Sequence, residues 1–130
     1  MADSRRFADW YVKSDADARA ARILFENGGD LALVAFHCQQ AIEKALKGYI
    51  LENTQSLLDG HSLVFLIRRS SAFDADIKRF LRECAFVNQF YIEARYPSDL
   101  PDEVDGDEAR TCLDTAERVL EYIKGQSTAV

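Results

Sequence analysis

Cysteine is scarce in this chain of 130 residues, and the three present, Cys38, Cys84 and Cys112, lie far apart. An odd number with no CxxC pair excludes a disulfide scaffold and leaves no zinc-ligand spacing. Each falls within an apolar helical pattern and is expected to be a buried free thiol. Proline is rarer still: Pro97 and Pro101 sit close together and punctuate one place only. No apolar run approaches the roughly 20 residues that span a bilayer. The N-terminus, MADSRRFADW, lacks the apolar core of a secretory signal. These absences predict a cytoplasmic protein with no membrane contact.

Catalytic signatures are missing too. The chain has neither GxxxxGK[ST] nor GxGxxG, and both GxSxG and HExxH are absent. The DEVDGDE stretch lacks the ligand order and closing glutamate of a calcium loop, so a solvated acidic loop is expected. Nothing here assigns a catalytic residue, a metal ligand or a cofactor.

What is present is an ordinary globular composition, 48% hydrophobic and 29% charged, long enough for one domain over residues 1–130 with a core from about 5 to 124. The net charge of −6 is concentrated. Between Arg95 and Glu108 stand Asp99, Asp102, Glu103, Asp105, Asp107 and Glu108, and the remainder is nearly neutral. Such a surface has no general affinity for nucleic acid, and DNA is not expected as a partner. One local exception is the run Arg68, Arg69, Lys78, Arg79 and Arg82, a candidate surface for a phosphate-bearing or acidic partner.

Glycine and polar punctuation divide the chain into five expected helices: Asp3 to Glu26, Leu31 to Glu52, Ser62 to Ser70, a fourth capped by Asp74 and reaching Ala94, and Asp107 to Lys124. Gly28 and Gly29 suit a left-handed helix end, and Asp30 and Ser62 suit N-caps. The final GQSTAV reads as a frayed tail. Leu31, Val34, Cys38, Ala41, Ile42, Ala45 and Tyr49 recur at three- and four-residue steps. With no sustained period-two alternation, the prediction is all-α: a five-helix antiparallel, up-and-down bundle.

Two features exceed what a plain bundle needs. In the second helix His37, Gln40, Lys44 and Lys47 fall within about 80° of one another, beside the apolar arc. Histidine there can carry a proton or serve as a bonded core residue, and lysines can hold phosphate or lie along the surface. In the fourth helix Phe86 and Phe90 point away from the centre of the face formed by Ile77, Phe80, Leu81, Cys84, Val87 and Tyr91. They either fill space under the acidic loop or form an interface. His61, beside Ser62, is expected to be structural rather than catalytic, a role that a bond to a loop carbonyl can fill.

FHCQQAIEKALKGYI on the second helix, GHSL opening the third and YIEARYP ending the fourth together resemble the prokaryotic HEPN domains. Trp10 and the stretch from Asp17 to Leu24 fit the same pattern, so the resemblance covers about Trp10 to Ile123. It implies a five-helix bundle that dimerises, associates with nucleotide or RNA, and pairs with a separate minimal nucleotidyltransferase in toxin–antitoxin-like modules. Ribonuclease members carry an arginine followed, after four to six residues, by a histidine near the end of the fourth helix. Arg95 stands at a comparable place, but the positions where the histidine would fall are Leu100, Pro101 and Asp102. Without that imidazole the general base for the 2′-hydroxyl is lost, while phosphate binding can survive.

The expectation is therefore a non-nucleolytic HEPN-like homodimer that binds nucleotide, a nucleotidyltransferase partner, or both. His37, Gln40, Lys44, Lys47, Arg95 and Tyr96 would line the polar cleft, with Tyr96 stacking on a base. The alternatives are an atypical metal-independent ribonuclease built around Arg95 and His37, and a structural adaptor using Phe86 and Phe90.

Overall fold

The computed structural model describes residues 3–91 and 103–127. Helix α1 spans Phe7–Glu26, α2 Leu31–Thr54 and α3 Leu63–Ser70. A 3-10 helix, Ala75–Phe80, runs directly into α4, Leu81–Asn88, and α5 spans Gly106–Gln126. All regular structure among the described residues is helical.

Cross-helix bonds fix the directions. The Ser14 hydroxyl donates to the Ala41 carbonyl and Tyr11 to Glu52, so α1 and α2 run antiparallel. Lys124 pairs with Asp15 and Arg22 with Glu117, which sets α5 antiparallel to α1 and parallel to α2. The contacts Phe80–Tyr122 and Glu83–Arg118 run α4 back along α5. Helix α2 packs against all four other α-helices. That central place explains why Ile42, Leu46 and Ile50 are fully enclosed, each contributing on the order of 2 kcal/mol by leaving water.

The helix ends follow local chemistry. Asp30 caps α2 by accepting from the amides of Ala32 and Leu33 at 2.8 and 3.3 Å. Gly28 takes the left-handed conformation at φ 71°, which turns the chain from α1 into α2. Ser62 caps α3 through the Phe65 amide. Asp105 and Glu108 form a reciprocal capping box at the start of α5. Gly48 has a packing role: a Cβ there would lie 2.9 Å from the Tyr11 ring and 3.0 Å from Trp10 Cβ, so its absence lets α1 and α2 approach closely.

Four details depart from the sequence reading. The expected fourth helix is split, because Asp74 does not cap it: its carboxylate accepts from the hydroxyls of Tyr49 and Tyr122 instead. A tighter 3-10 segment follows, and α4 ends at Asn88, whose side-chain oxygen accepts from the Leu63 amide. Its expected continuation to Ala94 lies outside the described residues beyond Tyr91. The tail is not frayed as far as Ser127: α5 continues through Gln126, and the Ser127 hydroxyl donates to Glu52. Helix α1 begins at Phe7 rather than Asp3, because Ser4 is drawn aside by the Trp10 indole N–H, which donates to its carbonyl. Finally, Phe90 is only 5% exposed and sits edge-to-face with the half-buried Phe86, 5.5 Å between centroids. Phe90 thus belongs to the core, while Phe86 stays partly exposed.

Candidate functional site: the polar seam of the second helix

The seam divides according to which carboxylate holds each side chain. Asp17, on α1, accepts at one oxygen from Lys44 Nζ (2.6 Å) and lies 3.0 Å from His37 Nδ1 through the other. Both α2 side chains stay partly exposed, 30% for His37 and 27% for Lys44. This pair can therefore meet solvent or a ligand while its geometry is set from the neighbouring helix.

Gln40 and Lys47 turn inward to Glu43, which is 4% exposed. Lys47 Nζ donates to Glu43 Oε2 at 3.1 Å and lies 5.8 Å from the centroid of the Trp10 ring. The amides of Gln39 and Gln40 donate to Glu43 Oε1 at 3.2 and 3.4 Å, and Gln40 also donates to Gln39 at 2.7 Å. His61 Nδ1 sits 3.1 Å from the same oxygen, and its ring stacks on Tyr91 at 4.2 Å. The His61 carbonyl, in turn, accepts from Gln39. A carboxylate taken from water needs such a set of donors, and Glu43 has them.

Beside the exposed half of the seam lies an open hollow of about 620 Å³, lined by Asp3, Ser4, Asp9, Trp10, Val12, Lys13 and Lys44. Lys13 is exposed and makes no ion pair among the described residues. Asp9 is already engaged, accepting from the Ser4 hydroxyl at 2.7 Å. The hollow thus combines two ammonium groups, one aromatic ring and two carboxylates, a mixture suited to a polar ligand with an anionic part. Among the described residues, no group of three or more His, Cys, Asp or Glu side chains converges as a metal site.

Comparison with known proteins places this helical arrangement. The family model described as the HEPN domain matches residues 7–126. The chain belongs to the HEPN family. Among solved structures, it is 28% identical to TT1696 from Thermus thermophilus, covering 95% of this chain and all of that one, with a TM-score of 0.81. It is also 28% identical to ST0689, an archaeal HEPN homologue, over 93% of this chain and 97% of that one, with a TM-score of 0.72. No curated protein matches.

In this HEPN chain, His37 and Lys44 share one anchor, while Gln40 and Lys47 belong to another. Arg95 and Tyr96 lie outside the described residues. The residues that organise the seam, Asp17, Gln39 and Glu43, lie within the stretches that carry the family resemblance but were not among the candidate site residues. Glu43 precedes Lys47 by one helical turn, a spacing that favours an ion pair and was available as a signal. Asp17 is twenty residues from His37, and no local pattern links them. The tyrosines form a second polar group away from the seam: burial, followed by the hydrogen bond to Asp74, pushes the Tyr122 hydroxyl up to about 12 and raises that of Tyr49. Burial and the Glu52 contact raise Tyr11 likewise.

Proposed function

We propose that this HEPN-domain protein is a non-nucleolytic nucleotide-binding module, working as the partner subunit of a separate minimal nucleotidyltransferase in a toxin–antitoxin-like pair. The observation that carries the reading is Lys44: an anchored, partly exposed ammonium on the wall of the hollow that also holds Lys13 and Trp10. Two lysines can neutralise phosphate oxygens, and the indole ring offers a face for a base. Carboxylates on the wall accept hydrogen bonds from sugar hydroxyls and keep the hollow from being a general polyanion trap. Support for the absence of cleavage comes from the sequence, which has no histidine four to six residues beyond Arg95.

The test is calorimetric titration of the protein with ATP. Lys44→Ala combined with Arg95→Ala is expected to abolish the heat of binding while the helical circular dichroism stays unchanged. Equal affinity in wild type and double variant removes this site. Co-purification of the tagged protein from its native cells with a stoichiometric small nucleotidyltransferase is the expected result for the partner half of the reading, and recovery of the protein alone contradicts it.

A second reading has one observation in its favour. Asp17 on Nδ1 leaves Nε2 of His37 available to accept a proton, the arrangement of an oriented general base. RNA cleavage that vanishes in His37→Ala would establish an atypical ribonuclease and displace the preferred reading.

A further inference from the structure

Five cations gather at the corner where α3, the 3-10 helix and α4 meet. Arg68 and Arg69 close α3, Lys78 and Arg79 close the 3-10 helix, and Arg82 follows in the first turn of α4. Among the described residues none of the five makes a side-chain hydrogen bond or ion pair. Other arginines are paired: Arg22 binds Glu117 and Glu26, and Arg118, which lines a hollow together with Arg79, binds Glu83. Three carboxylates are close in sequence to the strip, and one of them, Glu83, is paired with Arg118. Asp74 is occupied by the Tyr49 and Tyr122 hydroxyls, and Asp76 is exposed without an ion pair.

Arg79 is also held in position. Its guanidinium carbon lies 4.5 Å from the centroid of Tyr122 and 5.2 Å from that of Phe80. Tyr122 cannot swing away freely, because its hydroxyl is tied to Asp74. A guanidinium resting on aromatic faces keeps its edge N–H groups for an outside acceptor. It borders a hollow of about 480 Å³ lined also by Glu83, Arg118 and Glu121. At the other end of the strip, Phe65 is 45% exposed with Arg69 5.8 Å from its ring centroid.

We propose that this edge, centred on Arg79, is a docking surface for an acidic segment of a protein partner. Charge complementarity gives the class of partner: Arg68, Arg69, Lys78, Arg79 and Arg82 outnumber the carboxylates Asp74, Asp76 and Glu83 among them, and a fork of N–H groups matches a carboxylate in both charge and shape. Nucleic acid fits less well. The chain carries a net charge of −6, and the exposed ring of Phe65 already has an arginine over it. Glu83 and Glu121 would also repel a continuous row of phosphates crossing the hollow, whereas a peptide can space its carboxylates around them. The surface is separate from the seam hollow, and no residue lines both.

Fluorescence anisotropy tests the proposal with two labelled probes, a glutamate-rich peptide and a single-stranded oligoribonucleotide of equal charge. The peptide is expected to bind and to weaken as salt is raised. Arg79→Ala is expected to lower its affinity about tenfold, the loss of one charge-assisted contact. Arg68→Glu with Arg69→Glu and Lys78→Glu is expected to abolish binding, with circular dichroism confirming an intact fold. Absence of peptide binding in wild type, unchanged affinity in the variants, or tighter binding of the RNA each overturns the assignment. The last outcome would give the edge to nucleic acid.

Discussion

Glu43 is where burial and charge meet most sharply in this fold. Its carboxylate and the Lys47 ammonium are both enclosed, with side-chain exposures of 5% and 7%, at 3.1 Å. At an effective dielectric constant of about 20, Coulomb's law gives an attraction of about 5 kcal/mol at that separation. Desolvation of the two ions offsets much of this, so the pair as a whole adds little stability. Removing one partner is a different matter, because the other stays buried without its counter-ion. Glu43→Ala is therefore expected to destabilise the fold by about 3–5 kcal/mol, a large part of a domain's typical 5–15. Replacing both, as Glu43→Leu with Lys47→Met, is expected to restore most of the loss, since two apolar side chains of similar volume need no donors. The donors left by Gln39, Gln40 and His61 limit that recovery. Urea unfolding followed by far-ultraviolet circular dichroism gives the three free energies by linear extrapolation. A loss below about 1 kcal/mol in Glu43→Ala would mean that Lys47 reaches water at little cost, and would refute the argument.

Gly48→Ala tests the close approach of α1 and α2. Alanine raises helix propensity by about 1 kcal/mol, but its methyl would meet the Tyr11 ring and Trp10 Cβ at 2.9 and 3.0 Å. The expected outcome is a net destabilisation of about 1 kcal/mol or more in chemical unfolding, and a more stable variant would contradict the packing. Tyr122 sets an alkaline limit. Its hydroxyl is raised from 10.0 to about 12, first by burial and then by its bond to Asp74. Above pH 10 the unfolded chain releases a proton that the folded chain retains, so the contribution is complete below pH 10 and is lost as the pH rises through about 12. Across that window wild-type stability is expected to fall more steeply than that of Tyr122→Phe, with a residual slope from Tyr11 and Tyr49, which are raised in the same direction. Equal slopes would count against the burial of the hydroxyl and its bond to Asp74 together.

Much of the bundle was legible because its signals are local. Asp30, Ser62 and Gly28 act where a helix end needs an acceptor or a left-handed residue. The apolar spacing of α2 identifies the central helix, whose Val34, Cys38, Ala41 and Ile42 are fully buried. The reading failed where a distant partner displaced a local one. Asp74 has the sequence position of a cap, but two tyrosine hydroxyls, one from α2 and one from α5, take its oxygens, and the helix begins as a tighter 3-10 turn. Phe90, for which space-filling and an interface were both open on a wheel, is 5% exposed in the fold, a burial that one helix's pattern does not show.

The same limit explains the seam. Sequence periodicity could show that His37, Gln40, Lys44 and Lys47 share an edge, but not which of them face a carboxylate in the interior. The structure separates them by anchor. Asp17 leaves His37 and Lys44 at the surface with fixed geometry, whereas Glu43 draws Gln40 and Lys47 inward. A buried ammonium already paired with a carboxylate gains little from a second anion, because the new group would also have to leave water. A partly exposed ammonium on the wall of a hollow has no such barrier, and exchange of Asp17 for a phosphate oxygen costs only one anchored contact in return for another. Function on this helix is expected to follow the anchor rather than the wheel: substitution of Lys44 is expected to lower affinity for the proposed nucleotide, and substitution of Lys47 to lower stability.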